Sequence, residues 1–135
     1  MRQFPQTRLR RNREKPFVRR LVAENRLAAD DLIYPMFIID GKNQRSAVKS
    51  MPGIERLSID LAVKEVESLA ALGLNSIALF PNVEASLRTL DGREAYNPKG
   101  LVPRALAALK AAVPEVGVIT DAALDPYTSH GQDGL

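Results

Sequence analysis

The chain has 135 residues, of which 45% are hydrophobic and 26% are charged, and its formal net charge is +3. This balance is typical of one modest globular domain and excludes a disordered or fibrous chain. The absence of cysteine excludes a disulfide framework, a thiolate metal site and a cysteine nucleophile, and fits a reducing, cytoplasmic compartment. No apolar run approaches the roughly 20 residues of a membrane span, so we expect no membrane partner.

Charge divides the chain into an amino-terminal arm, residues 1–28, and a body, residues 29–135. The arm holds nine basic and two acidic residues, a net charge of +7, whereas the body holds ten basic and fourteen acidic residues, a net charge of −4. Residues 1–15 have no clean apolar period, which predicts an extended arm without a core of its own. A short amphipathic helix is predicted to follow, between Phe17 and Leu27.

Three apolar segments are typical of buried parallel strands: residues 31–39, 76–81 and 117–120. Pro35 lies in the first of them and lacks a backbone donor, so we expect it at an edge, a bulge or a strand end. Residues 40–56 are predicted to form a polar connection.

Two helices are predicted between these strands. Ser58 is expected to cap the first helix, and Gly73 is expected to end it. The second helix follows a long polar loop, residues 82–100, and carries apolar residues at helical spacing over 102–113. Pro103 suits its first turn.

The order of elements is arm, strand, helix, strand, helix, strand, and the strands begin roughly 41–43 residues apart. Strands that alternate with helices predict right-handed parallel crossovers. Eight such units would need about 330 residues, which is within the range of a (β/α)₈ barrel. We therefore predict an α/β fold, the N-terminal part of a TIM (β/α)₈ barrel preceded by an extended arm. A doubly wound open sheet is the alternative, although no glycine-rich phosphate loop follows the first strand.

The loop after the third strand, residues 121–133, gathers three aspartates and the only histidine of the chain. In β/α folds the loops at this end of the strands build the active site. Asp125 and Asp133 offer oxygen ligands that suit Mg²⁺ or another hard cation and suit zinc poorly. A solvated, capped loop is the alternative, and a lone histidine such as His130 is more often packed than bound to metal.

Residues 120–134 resemble the metal-loop signature of the porphobilinogen synthase family, also called δ-aminolevulinic acid dehydratase. Zinc-type members have three cysteines in this loop, where this chain has Ala123, Asp125 and Asp133. It therefore resembles the aspartate-rich, magnesium-responsive type, and no catalytic zinc is expected. The similarity continues in order along the chain, at residues 7–13, 19–22, 31–35, 50–53, 56–58, 78–81 and 94–98.

The resemblance implies an enzyme that condenses two molecules of 5-aminolevulinate into porphobilinogen with loss of two waters, in tetrapyrrole and heme biosynthesis. In this family two lysines on later barrel strands form Schiff bases with the substrate ketones. The sequence ends before those strands, so we expect a fragment that is inactive alone.

The resemblance also implies roles for five residues of the loop. Asp121 would line the pocket near the reacting amine and accept hydrogen bonds or protons, with a strand-end helix cap as the alternative, and Ser129 would support it in catalysis. Asp125 and Asp133 would hold charge near the second substrate, directly or through a bound cation or waters. Tyr127 is expected to help to bind substrate.

The basic arm has three interpretations: binding to nucleic acid phosphates, solvated disorder, or wrapping of a neighbouring subunit. The resemblance favours the subunit arm of a homo-octamer over nucleic acid, because the net negative body offers a complementary surface. Two other functions stay open. One is a short non-catalytic interaction module that docks through its arm on a partner subunit or nucleic acid. The other is a different lysine-dependent aldolase on the same barrel, against which the aspartate-rich loop argues.

Overall fold

The computed structural model describes residues 2–133; Met1 and the last two residues of the predicted body, Gly134 and Leu135, lie outside it. A five-stranded sheet has the order β2-β3-β1-β4-β5. Its strands are β1 (Tyr34–Ile39), β2 (Arg45–Ala47), β3 (Glu55–Ser58), β4 (Ser76–Pro81) and β5 (Gly117–Thr120). The helices are α1 (Arg11–Glu14), α2 (Pro16–Leu21), α3 (Ile59–Ala71) and α4 (Leu101–Ala112), with short 3₁₀ turns at Ala29–Asp31, Ala85–Leu87 and Arg93–Tyr96.

The strands β1, β4 and β5 pair in parallel, and α3 and α4 connect them. This confirms the predicted β/α units, and β4 and β5 have the predicted bounds. The strand β1 begins at Tyr34 rather than at residue 31, because the 3₁₀ turn Ala29–Asp31 precedes it. The carboxylate of Asp31 stabilises that turn by accepting a hydrogen bond from the backbone N–H of Ala28 at 2.8 Å.

The predicted polar connection over residues 40–56 is wrong in part, because it contains β2 and the start of β3. The strand β3 pairs in parallel with Phe37–Ile39 of β1, and β2 pairs with β3 in an antiparallel hairpin. Backbone pairing with β1 and an ion pair between Arg45 and Glu55 at 2.8 Å support this hairpin. Pro35 lies where β1, within residues 2–133, pairs with β4 alone, so the sheet accommodates its missing donor.

The hydrophobic core lies between the sheet and the two long helices. Strand alternation directs Met36, Ile38, Ile77 and Leu79 to the helix side, where each is at most 3% exposed. The helices contribute Leu61, Ala62, Val66, Leu101, Ala105 and Leu109 to this core. The other face of the sheet is more open, and Ile119 on β5 is 46% exposed. One face of the sheet is therefore packed, and the other faces the site described below.

The helix α3 ends at the predicted glycine, but the hydrogen bond predicted to cap its start is absent from the described residues. Gly73 has a φ of +90° and donates to the carbonyl of Ala70, while Leu74 donates to the carbonyl of Leu69. These two bonds form the glycine-dependent helix stop that was predicted. At the start of α3, no capping bond is made by Ser58 within the described residues, which corrects the predicted cap.

The Ser58 hydroxyl instead joins the start of α3 to the connection after β1. It donates to Asp60 Oδ1 at 2.6 Å and accepts from the backbone N–H of Gln44 at 3.0 Å. The Asp60 carboxylate also accepts from the backbone N–H of Asn43, at 3.0 Å to Oδ2. The Ser58 hydroxyl lowers the pKa of Asp60 most strongly, and the backbone N–H of Asn43 adds to this lowering.

The arm contains two short helices, α1 and α2, where an extended segment followed by one amphipathic helix was predicted. Pro16 begins α2 and favours its first turn. The helix ends at Leu21, before Leu27, and Leu21 is 81% exposed. In the part of the chain that the structure describes, no helix combines the length and the apolar character needed to span a bilayer.

Candidate functional site

A cavity of 410 Å³ lies at the carboxyl ends of the parallel strands, between the loops that follow β4 and β5. The strands supply Phe37, Arg56 and Phe80 to its wall, and the loop after β5 supplies Asp121, Asp125 and Tyr127. The cavity is therefore lined by both apolar and charged groups. The remaining lining residues are Leu79, Pro81, Asn82, Val102, Thr120, Ala123 and Pro126.

The sheet register aligns four of these side chains across the base of the cavity. Phe37 on β1 pairs with Arg56 on one side and with Phe80 on the other. The two rings lie 5.9 Å apart between centroids at an angle of 43°, a favourable tilted contact. Because Leu79 pairs with Thr120, Asp121 follows β5 at the level of Phe80. The rings of Phe37 and Phe80 thus lie between a cationic residue on one side of the cavity and an acidic residue on the other.

The loop of residues 121–133 is held by its own side chains. Asp133 Oδ1 accepts hydrogen bonds from the backbone N–H groups of Leu124 at 2.6 Å and Asp125 at 3.1 Å. Thr128 is fully buried, and its hydroxyl donates to the carbonyl of Gln132 at 2.8 Å. These bonds bring the end of the loop back over its beginning and orient Asp125 at the cavity.

The loop after β4 packs directly against the loop after β5. Thr89 and Thr128 form a parallel bridge, in which the N–H of Thr89 donates to the carbonyl of Tyr127 at 3.1 Å. The N–H of Ser129 donates to the carbonyl of Thr89 at 3.0 Å. Gly92 has a φ of +57°, and a Cβ added there would be in van der Waals contact with Thr128, 3.5 Å from its Cγ2. The two loops therefore form one layer above the sheet.

Tyr127 is half-buried at the cavity and faces two carboxylates. Burial raises the pKa of the Tyr127 phenol above 10.0, and the negative charges of Glu94 and Asp121 raise it further. The phenol is thus neutral at physiological pH and can donate a hydrogen bond. Glu94 comes from the loop after β4 and is held by the side-chain amide of Asn97 at 3.0 Å.

A model of the delta-aminolevulinic acid dehydratase family matches residues 6–135. The chain belongs to this family. Among its relatives, the delta-aminolevulinic acid dehydratase of Bradyrhizobium diazoefficiens is 55% identical over 126 residues, which cover 93% of this chain and 36% of the relative. The enzyme of Rhodobacter capsulatus is 41% identical over 132 residues, which cover 98% of this chain and 40% of the relative.

A crystal structure of delta-aminolevulinic acid dehydratase (porphobilinogen synthase) from Toxoplasma gondii ME49, in complex with the reaction product porphobilinogen, superimposes with a TM-score of 0.87 and 45% sequence identity. The match covers 96% of this chain and 37% of the Toxoplasma chain. The predicted fold is confirmed: the chain forms part of a TIM barrel preceded by an arm. It spans little more than a third of the length of these family members.

Three of the five predicted site residues lie on the cavity wall: Asp121, Asp125 and Tyr127. The other two, Ser129 and Asp133, belong to the hydrogen-bonded framework of the loop. The roles predicted for all five residues stay predictions. Sequence reasoning assigned no role to Glu94 or Arg56, although both lie in segments that resemble the dehydratase family.

The side-chain atoms that the loop after β5 offers as ligands determine which cation it could hold. Within residues 2–133 there is no group of three or more His, Cys, Asp or Glu side chains arranged for a metal ion. Asp133 uses Oδ1 for two backbone N–H groups, its Oδ2 makes no hydrogen bond within residues 2–133, and Asp125 faces the cavity. One or two carboxylates fit a largely hydrated Mg²⁺, whereas zinc prefers several nitrogen or sulfur ligands, and this loop offers one histidine and no cysteine.

Proposed function

We propose that the chain supplies the first β/α units of a porphobilinogen synthase, which condenses two molecules of 5-aminolevulinate with loss of two waters in tetrapyrrole and heme biosynthesis. The observation that carries this proposal is the cavity lined by Asp121, Asp125 and Tyr127 at the carboxyl ends of parallel strands. Membership of the family and the 55% identity with the Bradyrhizobium enzyme support it.

The cavity suits an amino ketone. Its carboxylates, Asp121 and Asp125, attract a substrate ammonium group, and either can accept a proton from it. The neutral phenol of Tyr127 can donate to a substrate oxygen. Phe37 and Phe80 offer an apolar surface for methylene groups of the substrate.

The chain's own lysines are not candidates for Schiff-base formation. Among the described residues that line the cavity there is no lysine. Lys110 donates to the carbonyls of Pro114 and Val116, away from the site. The resemblance assigns the two reactive lysines to later barrel strands. We therefore infer that this chain contributes binding and proton transfer, and that it is inactive without those strands.

The cation proposed for this site is Mg²⁺. Asp125 and Oδ2 of Asp133 would hold it, together with water molecules. When bound, it supplies positive charge that polarises a substrate oxygen. The loop itself does not depend on the cation for its shape, because Asp133 also accepts the two backbone bonds described above.

The arm is proposed to join subunits of a cytoplasmic homo-oligomer, with an octamer as the assembly that the resemblance implies. Phe4 and Leu9 are each 80% exposed between arginines, which is typical of a segment that packs on another surface. The arm carries a net charge of +7 and the body a net charge of −4, so an arm and the body of a neighbour attract each other.

A chimeric enzyme tests the catalytic proposal. Residues 6–135 replace the matching segment of the Bradyrhizobium diazoefficiens enzyme, and the formation of porphobilinogen from 5-aminolevulinate is measured. We expect an active chimera, in which Asp121→Asn lowers kcat by about 100-fold or more because a proton acceptor is lost. The matched control is Asp30→Asn, since Asp30 bonds Asn75 at the other end of the sheet. A folded chimera that forms no porphobilinogen would contradict the proposal.

A further inference from the structure

Thr128 is one of two buried polar side chains in the part of the chain that the structure describes, and the other, Ser58, belongs to the start of α3. Its neighbour Tyr127 is among the described residues that line the cavity, whereas Thr128 is not. Direct contact with a ligand in the cavity therefore does not explain its burial. A buried hydroxyl is stabilised by the hydrogen bonds that it makes, so those bonds indicate what Thr128 does.

The hydroxyl of Thr128 binds both backbone groups of Gln132. It accepts a hydrogen bond from the N–H of Gln132 at 3.1 Å and donates one to the carbonyl of Gln132 at 2.8 Å. The next residue, Asp133, accepts from the backbone N–H groups of Leu124 at 2.6 Å and Asp125 at 3.1 Å. The hydroxyl thus fixes the residue beside the carboxylate that holds the backbone of Asp125, and Asp125 lies on the cavity wall.

The methyl group of Thr128 faces the other loop. Its Cγ2 atom lies 3.5 Å from the position that a Cβ would take at Gly92, in the loop after β4. The backbone on both sides of Thr128 also binds that loop, because Thr89 donates to the carbonyl of Tyr127 and accepts from the N–H of Ser129. The hydroxyl and the methyl group of one side chain therefore contact two different loops.

We propose that Thr128 is a positioning residue whose hydroxyl directs Asp125 at the cavity, acting through Gln132 and Asp133. The methyl group and the neighbouring backbone bonds join this loop to the loop after β4, and they do not carry that effect. The consequence for catalysis rests on the proposed function, whereas the effect on the loop follows from the hydrogen bonds alone.

Thr128→Val and Thr128→Ser separate the two groups, because valine keeps the methyl group and loses the hydroxyl, and serine does the opposite. Amide hydrogen exchange of the full chain, followed by NMR, measures their effects. In the valine variant, exchange at Gln132, Leu124 and Asp125 should be about tenfold faster or more, the effect of two lost hydrogen bonds. Exchange at the bridge between the two loops should stay unchanged. The serine variant should retain the wild-type rates at all three residues.

Thr89→Val is the matched control, since it makes the same substitution on the other side of the bridge. The Thr89 hydroxyl donates to Asp91 Oδ1 at 2.6 Å and accepts from the N–H of Arg93 at 3.1 Å, both within its own loop. This variant should leave exchange in the loop after β5 unchanged.

The proposal is overturned if Thr128→Val accelerates exchange at Gln132 but not at Leu124 and Asp125, or if it accelerates the bridge amides equally. It is also overturned if serine has the same effect as valine. Should the valine variant not fold, the wild-type chain decides the question. Its amides at Gln132, Leu124 and Asp125 should respond to low concentrations of urea as one opening unit, and separate openings would overturn the indirect effect on Asp125.

The chimera tests the consequence for catalysis. Thr128→Val should lower its kcat/KM for 5-aminolevulinate by about tenfold, and Thr128→Ser by less than about threefold. The two proposals can fail separately. Faster exchange at Asp125 in the valine variant together with an inactive chimera supports the role of Thr128 and refutes the catalytic proposal. An active chimera whose kcat/KM is unchanged by Thr128→Val overturns the role of Thr128 alone.

Discussion

Asp133 is expected to maintain the shape of the loop after β5 by accepting backbone hydrogen bonds. Its Oδ1 atom is 2.6 Å from the nitrogen of Leu124 and 3.1 Å from that of Asp125. Hydrogen bonds to a charged group contribute about 1.5–3 kcal/mol, and exposure to solvent reduces each of these to about 1 kcal/mol. Asp133→Ala removes both bonds and should therefore cost the local structure about 2 kcal/mol.

Amide hydrogen exchange, followed by NMR, measures this loss residue by residue. A cost of about 2 kcal/mol corresponds to exchange about 30-fold faster at Leu124 and Asp125. Exchange at Val66, in the core of α3, should not change. Asp133→Asn is the matched variant, because it removes the charge but keeps an oxygen acceptor in the same place. It should retain most of the protection.

Unchanged exchange at Leu124 and Asp125 in the Asp133→Ala variant would refute the reasoning from the two hydrogen bonds. Equal acceleration in the alanine and asparagine variants would show that the negative charge, and not the acceptor, stabilises the loop. That second result would favour a cation as the main partner of Asp133.

Glu94→Gln should lower the raised pKa of Tyr127 toward 10.0, because a neighbouring negative charge is lost. The pH dependence of phenolate absorbance measures this pKa, and the Tyr127→Phe variant identifies which part of the signal belongs to Tyr127. An unchanged titration would contradict the prediction. The stability that Tyr127 contributes is full below pH 10.0 and lost as pH rises through its higher folded pKa. The pKa of Asp60 is lowered, so its contribution is present above pH 3.8 and lost as pH falls through the folded pKa. Ser58→Ala should therefore move acid unfolding to higher pH, and an unshifted midpoint would argue against this bond. Leu79→Ala should reduce the free energy of unfolding in urea by about 2–5 kcal/mol, since Leu79 is 0% exposed, and a loss below about 1 kcal/mol would mean that the core collapses around the gap.

The parts of the fold that could be predicted from the sequence are those with a local signal. The strands β4 and β5 are continuous apolar runs bounded by proline, glycine or polar residues, and they lie where they were predicted. The helix α3 ends at Gly73, the one position there where a left-handed backbone is required. The helix α4 follows Gly100 with Pro103 in its first turn.

The hairpin of β2 and β3 could not be predicted, because its stability comes from pairing rather than from its own sequence. Its strands have three and four residues, and the charged residues Arg45, Glu55 and Arg56 interrupt any apolar alternation. The contacts with β1 and β2 make β3 a strand, and the contact with β1 depends on a distant part of the chain.

The same limit applies to the candidate site. The structure places Asp121, Asp125 and Tyr127, three residues that the resemblance singled out, on the wall of one cavity, and their roles stay predictions. The bonds of Asp133 close a loop across eight and nine residues, and the approach of Glu94 to Tyr127 depends on the packing of two loops. No spacing rule encodes either contact. They become visible only when the loops after β4 and β5 are placed side by side.

The hairpin of β2 and β3 supplies the positive charge of the cavity wall through one side chain, that of Arg56. Arg56 reaches the cavity from β3, which lies between β1 and β2 and outside the alternation of parallel strands and long helices. A substitution at Arg56 alone would change the charge presented to a ligand, whereas the next two residues of β3, Leu57 and Ser58, are buried and hold the strand in place. Selection or protein engineering could therefore retune ligand preference at this edge without rebuilding the scaffold.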